Sequence, residues 1–239
     1  MKNRDESAVP KPHRTRFGSR RFGLGRFLFI VTVICIAFGW SYQHATKNVR
    51  ATKFLENSDV HYRYFINQLN NPTKHPEIKA PNWQRKLLGD EYFLKIKVLG
   101  LSGQQASSAE FWLNLRKHQA ALQDVEVINI RCGGEQVLDI SMVTLKSLSS
   151  LNGIYVAEGM VSSKWLRQCG SLEALNCLRL ESPANSPIDA EPLSQLNQTD
   201  AIILSDCGTS LQDAEFLRDR LRKTMIVVVE NNDNNNMFD

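Results

Sequence analysis

Residues 171–180 read S-L-E-A-L-N-C-L-R-L and decide the fold of this chain, with leucines at 172, 175, 178 and 180. On an α-helix each residue turns by about 100°, so these leucines would spread over about 200° of the circumference, which is a poor apolar face. On a β-strand, by contrast, Leu178 and Leu180 point to the same side of the sheet. The stretch therefore favours a strand, and the question becomes whether this strand is one of a series.

The same spacing recurs along the chain at a nearly constant period. Apolar-x-apolar pairs follow one another at steps of 29, 26, 24, 24 and 24 residues, and a leucine precedes four of them by six residues, at 122, 148, 172 and 196. The pattern L-x-x-L-x-x-L-x-L is the signature of leucine-rich repeats, whose units of about 20–29 residues contribute one strand each. The pairs are Leu99/Leu101, Ile128/Ile130, Ile154/Val156, Leu178/Leu180, Ile202/Leu204 and Ile226/Val228.

The segments between the pairs predict short helices. Residues 210–217 (S-L-Q-D-A-E-F-L) resemble residues 187–193 (P-I-D-A-E-P-L), and each segment places an aspartate near a helix start with apolar residues behind it. A single unit cannot bury its leucines alone, so stacked units form a continuous core and the terminal units need caps. The predicted fold is therefore α/β: a short leucine-rich-repeat solenoid over residues 82–230, with parallel strands and outer helices.

The turns after the strands depart from the usual pattern. Many leucine-rich repeats carry Asn or Cys three residues after the second apolar position, which would form a ladder of polar side chains. This sequence places Gln104, Gly133, Gly159, Pro183 and Cys207 there. We therefore expect these turns to be held in another way.

An apolar stretch near the N-terminus predicts a membrane helix. Residues 27–46 contain no Lys, Arg, Asp or Glu, and 20 helical residues at about 1.5 Å each span about 30 Å, the thickness of the hydrocarbon core of a bilayer. Trp40 and Tyr42 lie where interfacial aromatic residues are expected. A signal peptide cleaved after about Gly39, within the weak site A-F-G, is the main alternative to a retained anchor. A buried core helix is a third interpretation, which the arginine-rich flank disfavours.

Charge is divided unevenly between the N-terminal tail and the rest of the chain. Residues 1–26 carry eight Lys and Arg against two acidic residues, a net charge of +6, whereas residues 27–239 carry 21 basic and 23 acidic residues, a net charge of −2. The positive-inside rule therefore predicts a cytoplasmic tail, a single-pass cell-membrane anchor and a repeat domain outside the cytoplasm. A folded part with a net charge of −2 is not expected to bind nucleic acid.

The remaining boundaries follow from composition. Residues 47–81 are predicted to be a stalk followed by an N-terminal strand and loop, because 60–66 alternates like a strand and 67–81 contains three prolines. Residues 231–239 (N-N-D-N-N-N-M-F-D) are of low complexity and predict a disordered tail.

Three stretches resemble membrane-anchored bacterial leucine-rich-repeat proteins of the kind abundant in planctomycetes. Residues 20–28 (R-R-F-G-L-G-R-F-L) resemble the basic-aromatic run before their anchor, and residues 208–214 (G-T-S-L-Q-D-A) resemble their spacer. Residues 82–93 (N-W-Q-R-K-L-L-G-D-E-Y-F) are similar to the segment that enters their first repeat. The resemblance covers about residues 20–50 and 60–229, and it implies a fold and a topology but no catalytic residues.

From the residues alone, the same 82–93 segment is interpreted as the N-terminal cap of the repeats. Asn82 is a suitable helix N-cap, and four apolar side chains behind it would cover the exposed end of the first unit. These side chains are Trp83, Leu87, Leu88 and Phe93.

The strand positions between the buried leucines are the candidate binding site. In a solenoid these positions form the usual binding surface, and strands stack about 4.8 Å apart, so neighbouring positions should cluster within about 10–15 Å. Tyr and Arg are common hot-spot residues. We therefore expect binding of an unidentified protein partner at the cell envelope, although the Arg179 and Glu181 side chains could instead simply pair on a solvated surface. The candidate residues are Asn129, Arg131, Tyr155, Arg179 and Glu181.

The sequence also offers features of two other functional classes. Residues 225–229 (M-I-V-V-V) are apolar on both faces, so a structural protein that associates with itself through this last strand is the alternative function. Cover by the C-terminal tail would explain the same pattern. An envelope enzyme is less expected, because the five histidines lack H-x-x-x-H spacing and the cysteines lack C-x-x-C spacing. No catalytic residue, metal, cofactor or disulfide is predicted.

Overall fold

The computed structural model describes residues 23–64, 81–89, 93–181 and 188–229. Its centre is a seven-stranded sheet in which the spatial order of the strands is their order in the chain. The first strand is antiparallel to the second, and every later neighbour is parallel. The strands are β1 (His61–Arg63), β2 (Val98–Ser102), β3 (Val127–Arg131), β4 (Gly153–Ala157), β5 (Cys177–Glu181), β6 (Ala201–Ser205) and β7 (Met225–Val229).

Short helices alternate with the parallel strands, as the spacer pattern predicts. The chain divides into two compact units, Met1–Ser41 and Tyr42–Asp239, and the sheet with its helices belongs to the second. A 3-10 helix over Gln119–Ala121 follows α4. The α-helices are α1 (Leu24–Asn57), α2 (Asn82–Leu88), α3 (Gly103–Ala106), α4 (Ala109–Lys117), α5 (Ser141–Leu145), α6 (Ser163–Cys169), α7 (Ala190–Leu193) and α8 (Leu211–Arg220).

The apolar pairs align across the sheet without a register shift. The first members of the six pairs oppose one another from β2 to β7, and so do the second members. All twelve side chains are buried except that of Val228, which is half-buried. A slip of one residue would turn a strand's whole apolar set towards solvent, so burial of one face fixes the register. The strand positions predicted from the spacing are confirmed.

The leucines that precede the strands close the core from the helix side. The side chains of Leu122, Leu148, Leu172 and Leu196 are all buried in the same cluster as the strand residues. Two helix tryptophans, Trp112 and Trp165, are 0% exposed there. A single apolar layer therefore runs between the sheet and the helices, from β2 to β7.

Side-chain caps start the helices where the sequence suggested. The Asp189 carboxylate accepts a hydrogen bond from the Glu191 amide at the start of α7. Ser210 caps α8, and Asp213 completes a capping box by accepting the Ser210 amide proton. Caps of this kind satisfy amides that have no partner inside the helix. The prediction of an aspartate near each of these two helix starts is confirmed.

Backbone amides and a thiol, not an asparagine ladder, hold the turns after the strands. The Glu158 amide donates to the Glu181 carbonyl at 2.7 Å, and the Asp206 amide donates to the Val229 carbonyl at 2.8 Å. Both turn residues have a positive φ, 56° for Glu158 and 52° for Asp206. Cys207 donates its thiol proton to the carbonyl of Leu180 at 3.3 Å, on the neighbouring strand. This cysteine thus links adjacent units at the turn position where the sequence has no asparagine.

The N-terminal edge of the sheet is covered differently from the prediction. Strand β1 pairs with β2, and Leu55 and Val60 are buried in the core cluster. Phe54 stacks on His118, with ring centroids 4.8 Å apart. Residues 47–58, for which the sequence predicts a helical or extended stalk, are helical as far as Asn57, but they pack as part of the second unit because their apolar side chains join the core cluster.

The predicted cap at residues 82–93 needs correction in two respects. The N-cap of α2 is Pro81, and Asn82 is the first helical residue without a capping role. The Trp83 side chain is 52% exposed, so it does not seal the first strand as expected. Phe93 is half-buried, and the side chains of Leu87 and Leu88 are outside what the structure describes. Strand β1 and the last turns of α1 occupy the covering position instead.

The first unit contains the apolar part of α1. This helix is long and apolar enough to cross a membrane, by its length and composition, and the predicted span of residues 27–46 lies within it. Large apolar side chains are exposed along it, among them Phe27, Phe29 and Ile36. The predictions for residues 1–22, the proline-rich loop at 65–80, the turn at Pro183 and the tail at 230–239 lie outside the described residues.

Candidate functional site

The surface of the sheet opposite the core, here called the strand face, carries the predicted site residues. Its middle row runs in register through Asn129, Tyr155 and Arg179, which oppose one another on β3, β4 and β5. The upper row lies two residues further along each strand and contains Arg131 and Glu181, separated by Ala157. The alternation in the sequence therefore placed all five candidate residues on one face of three adjacent strands.

Tyr155, Arg179 and Glu181 form a compact cluster on this face. The Arg179 guanidinium carbon lies 4.8 Å from the centroid of the Tyr155 ring, a cation–π contact. The Tyr155 hydroxyl donates a hydrogen bond to Glu181 Oε2. Arg179 Nη2 lies 3.5 Å from the same carboxylate oxygen. Each side chain contacts the other two, so the cluster holds its aromatic ring and both charges in one arrangement.

The environment of Tyr155 keeps its hydroxyl protonated. Burial raises the pKa of this phenol, and the hydrogen bond to the Glu181 carboxylate and its negative charge raise it further. The positive charges of Arg179 and Arg131 lower the Tyr155 pKa in part. At neutral pH the phenol is therefore a hydrogen-bond donor on a half-exposed surface, and it is not an activated base.

Arg131 has a partner that sequence reasoning missed. Its side chain is 78% exposed, and its Nε lies 3.9 Å from Glu158 Oε1. Strict alternation along β4 would turn Glu158 towards the core, but the left-handed backbone at this residue turns its side chain out beside Arg131 instead. A single sequence gives no signal for that turn conformation, because glutamate rarely adopts a positive φ.

Two small residues of the strand face are buried, although the alternation of the strands predicts that side chains on this face are exposed. Ala157 is only 2% exposed, because its one-carbon side chain lies between Arg131 and Glu181 in the upper row. Ser205 is 6% exposed on β6. Asn129 is half-buried between Gly100 and Tyr155. The accessible polar surface is thus concentrated on the long side chains of β3 to β5.

Beyond β5 the strand face becomes apolar. The middle row continues from Arg179 into Ile203 and Val227, which are half-buried. On the last strand Met225 is 60% exposed and Val229 is 42% exposed. A ligand lying across the strands would therefore meet the charged cluster first and an aliphatic surface beside it.

Burial opposes the charged form of two described thiols and of one described imidazole. All five cysteines are free thiols, and burial raises the pKa of Cys132 to about 11 and also raises the pKa of Cys169. Burial lowers the pKa of His118, which packs on Phe54, and the charge of Lys117 lowers it further. Among the residues that the structure describes, no group of three His, Cys, Asp or Glu side chains could hold a metal ion.

The strand face thus offers recognition groups, namely an aromatic ring, a guanidinium, a carboxylate and an adjoining apolar row. Comparison with protein-family models finds no family that matches this chain, and comparison with curated proteins finds no match either. The assignment of a function therefore depends on the geometry of this face and on the pattern of the sequence.

Proposed function

We propose that this chain is a leucine-rich-repeat solenoid that binds a protein partner on its strand face, in the manner of the membrane-anchored bacterial proteins that it resembles. Three features support a repeat architecture. The strands follow one another at steps of 24 to 29 residues, their apolar pairs align in register, and the leucine that precedes four of the strands is buried. In the proposed architecture each unit buries its leucines against its neighbours.

The Tyr155–Arg179–Glu181 cluster is the observation that carries the binding proposal. Tyrosine and arginine are enriched among the residues that contribute most to protein interfaces. The contacts within the cluster hold these side chains in place before a partner arrives, which lowers the entropy lost on binding. The aliphatic surface of β6 and β7 adjoins the cluster and supplies apolar area of the kind found at interface centres.

The N-terminal helix supports a location at the cell envelope. A basic segment precedes the apolar helix, so we propose that residues 1–26 stay in the cytoplasm and that the repeats lie outside it. Mass determination of the protein recovered from the membrane fraction separates the two processing outcomes. A retained anchor gives the mass of all 239 residues, whereas cleavage after about Gly39 gives a shorter chain that is released from the membrane.

Quantitative cross-linking mass spectrometry in intact cells tests the binding proposal. The variant Tyr155→Ala with Arg179→Ala should yield about tenfold less cross-linked partner than the wild-type chain, because truncating a hot-spot residue costs more than about 1 kcal/mol. Its far-UV circular dichroism and Tm should stay close to those of the wild-type chain, since both side chains lie outside the core.

A double variant on the helix layer serves as the matched control. Leu113→Ala with Arg116→Ala also removes one large exposed side chain and one guanidinium, but from α4. This control should retain the wild-type yield of cross-linked partner. Equal yields from all three proteins would mean that the strand face does not bind the partner.

A further inference from the structure

Exposed apolar side chains are concentrated in the last helix and strand. In the part of the second unit that the structure describes beyond α1, eight large apolar side chains are exposed, and four of them lie on α8 or β7. These four are Leu211, Phe216, Met225 and Val229, at 83%, 37%, 60% and 42% exposure. Met225 and Val229 lie on the last strand, and exposed apolar side chains at the end of a sheet mark a position where another molecule packs.

Strand β7 also leaves one row of backbone groups open. Among the described residues its one neighbouring strand is β6. The Met225 amide donates to the Asp200 carbonyl at 2.8 Å, and the Val229 carbonyl accepts from the Asp206 amide at 2.8 Å, so these two residues turn their backbone groups towards β6. Alternation along the strand then turns the N–H and C=O groups of Ile226 and Val228 towards the open edge.

Within the described strand Met225–Val229 there is no Lys, no Pro and no other charged residue. Proteins commonly place Lys, Pro or a bulge on an exposed edge strand. Met225–Val229 reads M-I-V-V-V, with three valines and an isoleucine, residues that favour strands. Strand β1, which covers the other end of the sheet, carries His61 and Arg63 instead.

We propose that β7 pairs antiparallel with β7 of a second copy of this chain, which joins the two sheets into one. The open groups limit the register, because Ile226 and Val228 can exchange hydrogen bonds only with outward-facing residues of the second copy. The register that pairs Ile226 with Val228 of the second copy uses the open groups of both residues on each strand. Val227 then lies opposite Val227 of the second copy, on the two-fold axis. The exposed Met225 side chain lies opposite Val229 of the second copy, so each strand covers the apolar surface of the other.

Composition favours a second copy over the chain's own C-terminal tail. The tail, E-N-N-D-N-N-N-M-F-D over residues 230–239, has eight Asn, Asp or Glu residues out of ten. These residue types are depleted in strands, whereas β7 itself offers five consecutive strand formers.

Disulfide trapping in the full chain in detergent micelles tests the register. In a background with Cys35→Ser and Cys177→Ser, which leaves only buried thiols, the variant Val227→Cys should oxidise to a covalent dimer. Its Cα atoms would be about 4.5 Å apart, within the range for a disulfide. The control Met225→Cys lies on the same face, but its two Cα atoms would be about 13 Å apart, so it should give about tenfold less dimer. Equal yields from the two variants would overturn the register.

Light scattering of the same full-length protein tests the association itself. The wild-type chain should show twice the protein mass of the variant Val227→Lys, which places two like charges opposite each other on the axis. The control Ile203→Lys, on the same row of β6 but away from the edge, should keep the doubled mass. A monomeric wild-type chain would overturn the proposal. So would a chain that becomes dimeric only after residues 230–239 are removed, because the tail would then be the occupant of the edge.

Discussion

The substitution Leu178→Ala tests whether the units depend on one another for stability. Leu178 is 0% exposed and lies in the middle of β5, opposite Ile154 of β4 and Ile202 of β6. Its side chain is thus a contact shared by three consecutive units. Truncating it should weaken the packing of both neighbouring strands together with β5.

The expected loss of stability follows from the burial of this side chain. Leucine has three more carbons than alanine, and each buried methylene contributes about 0.8 kcal/mol, which gives about 2.4 kcal/mol for the transfer. The cavity adds to this cost because the hydrogen bonds of the two flanking strands keep them from closing around it. We therefore expect a loss of about 3–4 kcal/mol, within the range of about 2.7–5.0 kcal/mol for such substitutions.

Thermal unfolding of the full chain in detergent measures this loss. Near-UV circular dichroism follows the buried tryptophans Trp112 and Trp165. For a chain of this size 1 kcal/mol shifts Tm by about 2–4 °C, so Leu178→Ala should lower Tm by about 6–16 °C. The control Arg179→Ala alters the adjacent residue on the opposite, solvent-facing side and should change the stability by less than about 1 kcal/mol.

Amide hydrogen exchange of the same variant locates the loss within the sheet. Nearest-neighbour coupling between units predicts faster exchange in β4 and β6 as well as in β5, with the smallest change in β2, the most distant parallel strand. A Tm lowered by less than about 2 °C, or a loss of protection limited to β5, would refute the reasoning. The leucines would then be buried within each unit separately.

Three further predictions concern the buried polar groups, the close contacts of the turns and the strand face. Ser141→Ala removes the acceptor for the Trp165 indole N–H, which it binds at 2.9 Å, and should cost about 1–3 kcal/mol in the same thermal assay. Gly159→Ala places a Cβ 2.5 Å from Cys132 Sγ and should lower the free energy of unfolding by about 1–3 kcal/mol. The double variant with Cys132→Ala should regain part of this loss, which a double-mutant cycle measures. Tyr155 should ionise above the ordinary phenol pKa of about 10 in an alkaline absorbance titration, because burial raises its pKa. Its contribution to stability should thus be complete below about pH 10 and be lost as the pH rises through the folded-state pKa, and Tyr155→Phe should abolish that loss.

The positions of the strands and helices could be predicted because they depend on local periodicity. Pairs such as Ile154/Val156 repeat at a fixed step, and each pair can bury both members only as one face of a strand. The helix starts at Asp189 and Ser210 carry their own capping groups. Such signals lie within a few residues of the feature that they specify, so a single sequence is enough to find them.

The cap at the start of the sheet could not be predicted because it depends on contacts between distant segments. Phe54 contacts Phe111 and His118, which follow the first parallel strand more than 50 residues later in the chain, and nothing in the local pattern of residues 47–58 distinguishes a stalk from a packed helix. The same holds for Asn82, whose residue type suits a cap although Pro81 occupies that position.

By itself the sequence determined which side chains face the core, which ones share the strand face, and where an apolar helix long enough for a membrane lies. Only the tertiary structure decided that Tyr155, Arg179 and Glu181 contact one another, that Glu158 turns out beside Arg131, and that Leu55 at the end of α1 packs into the core. The physical reason is that side-chain direction follows from the two-residue period of a strand. Contacts depend instead on rotamers, on turn dihedral angles and on neighbours that are far away in the chain.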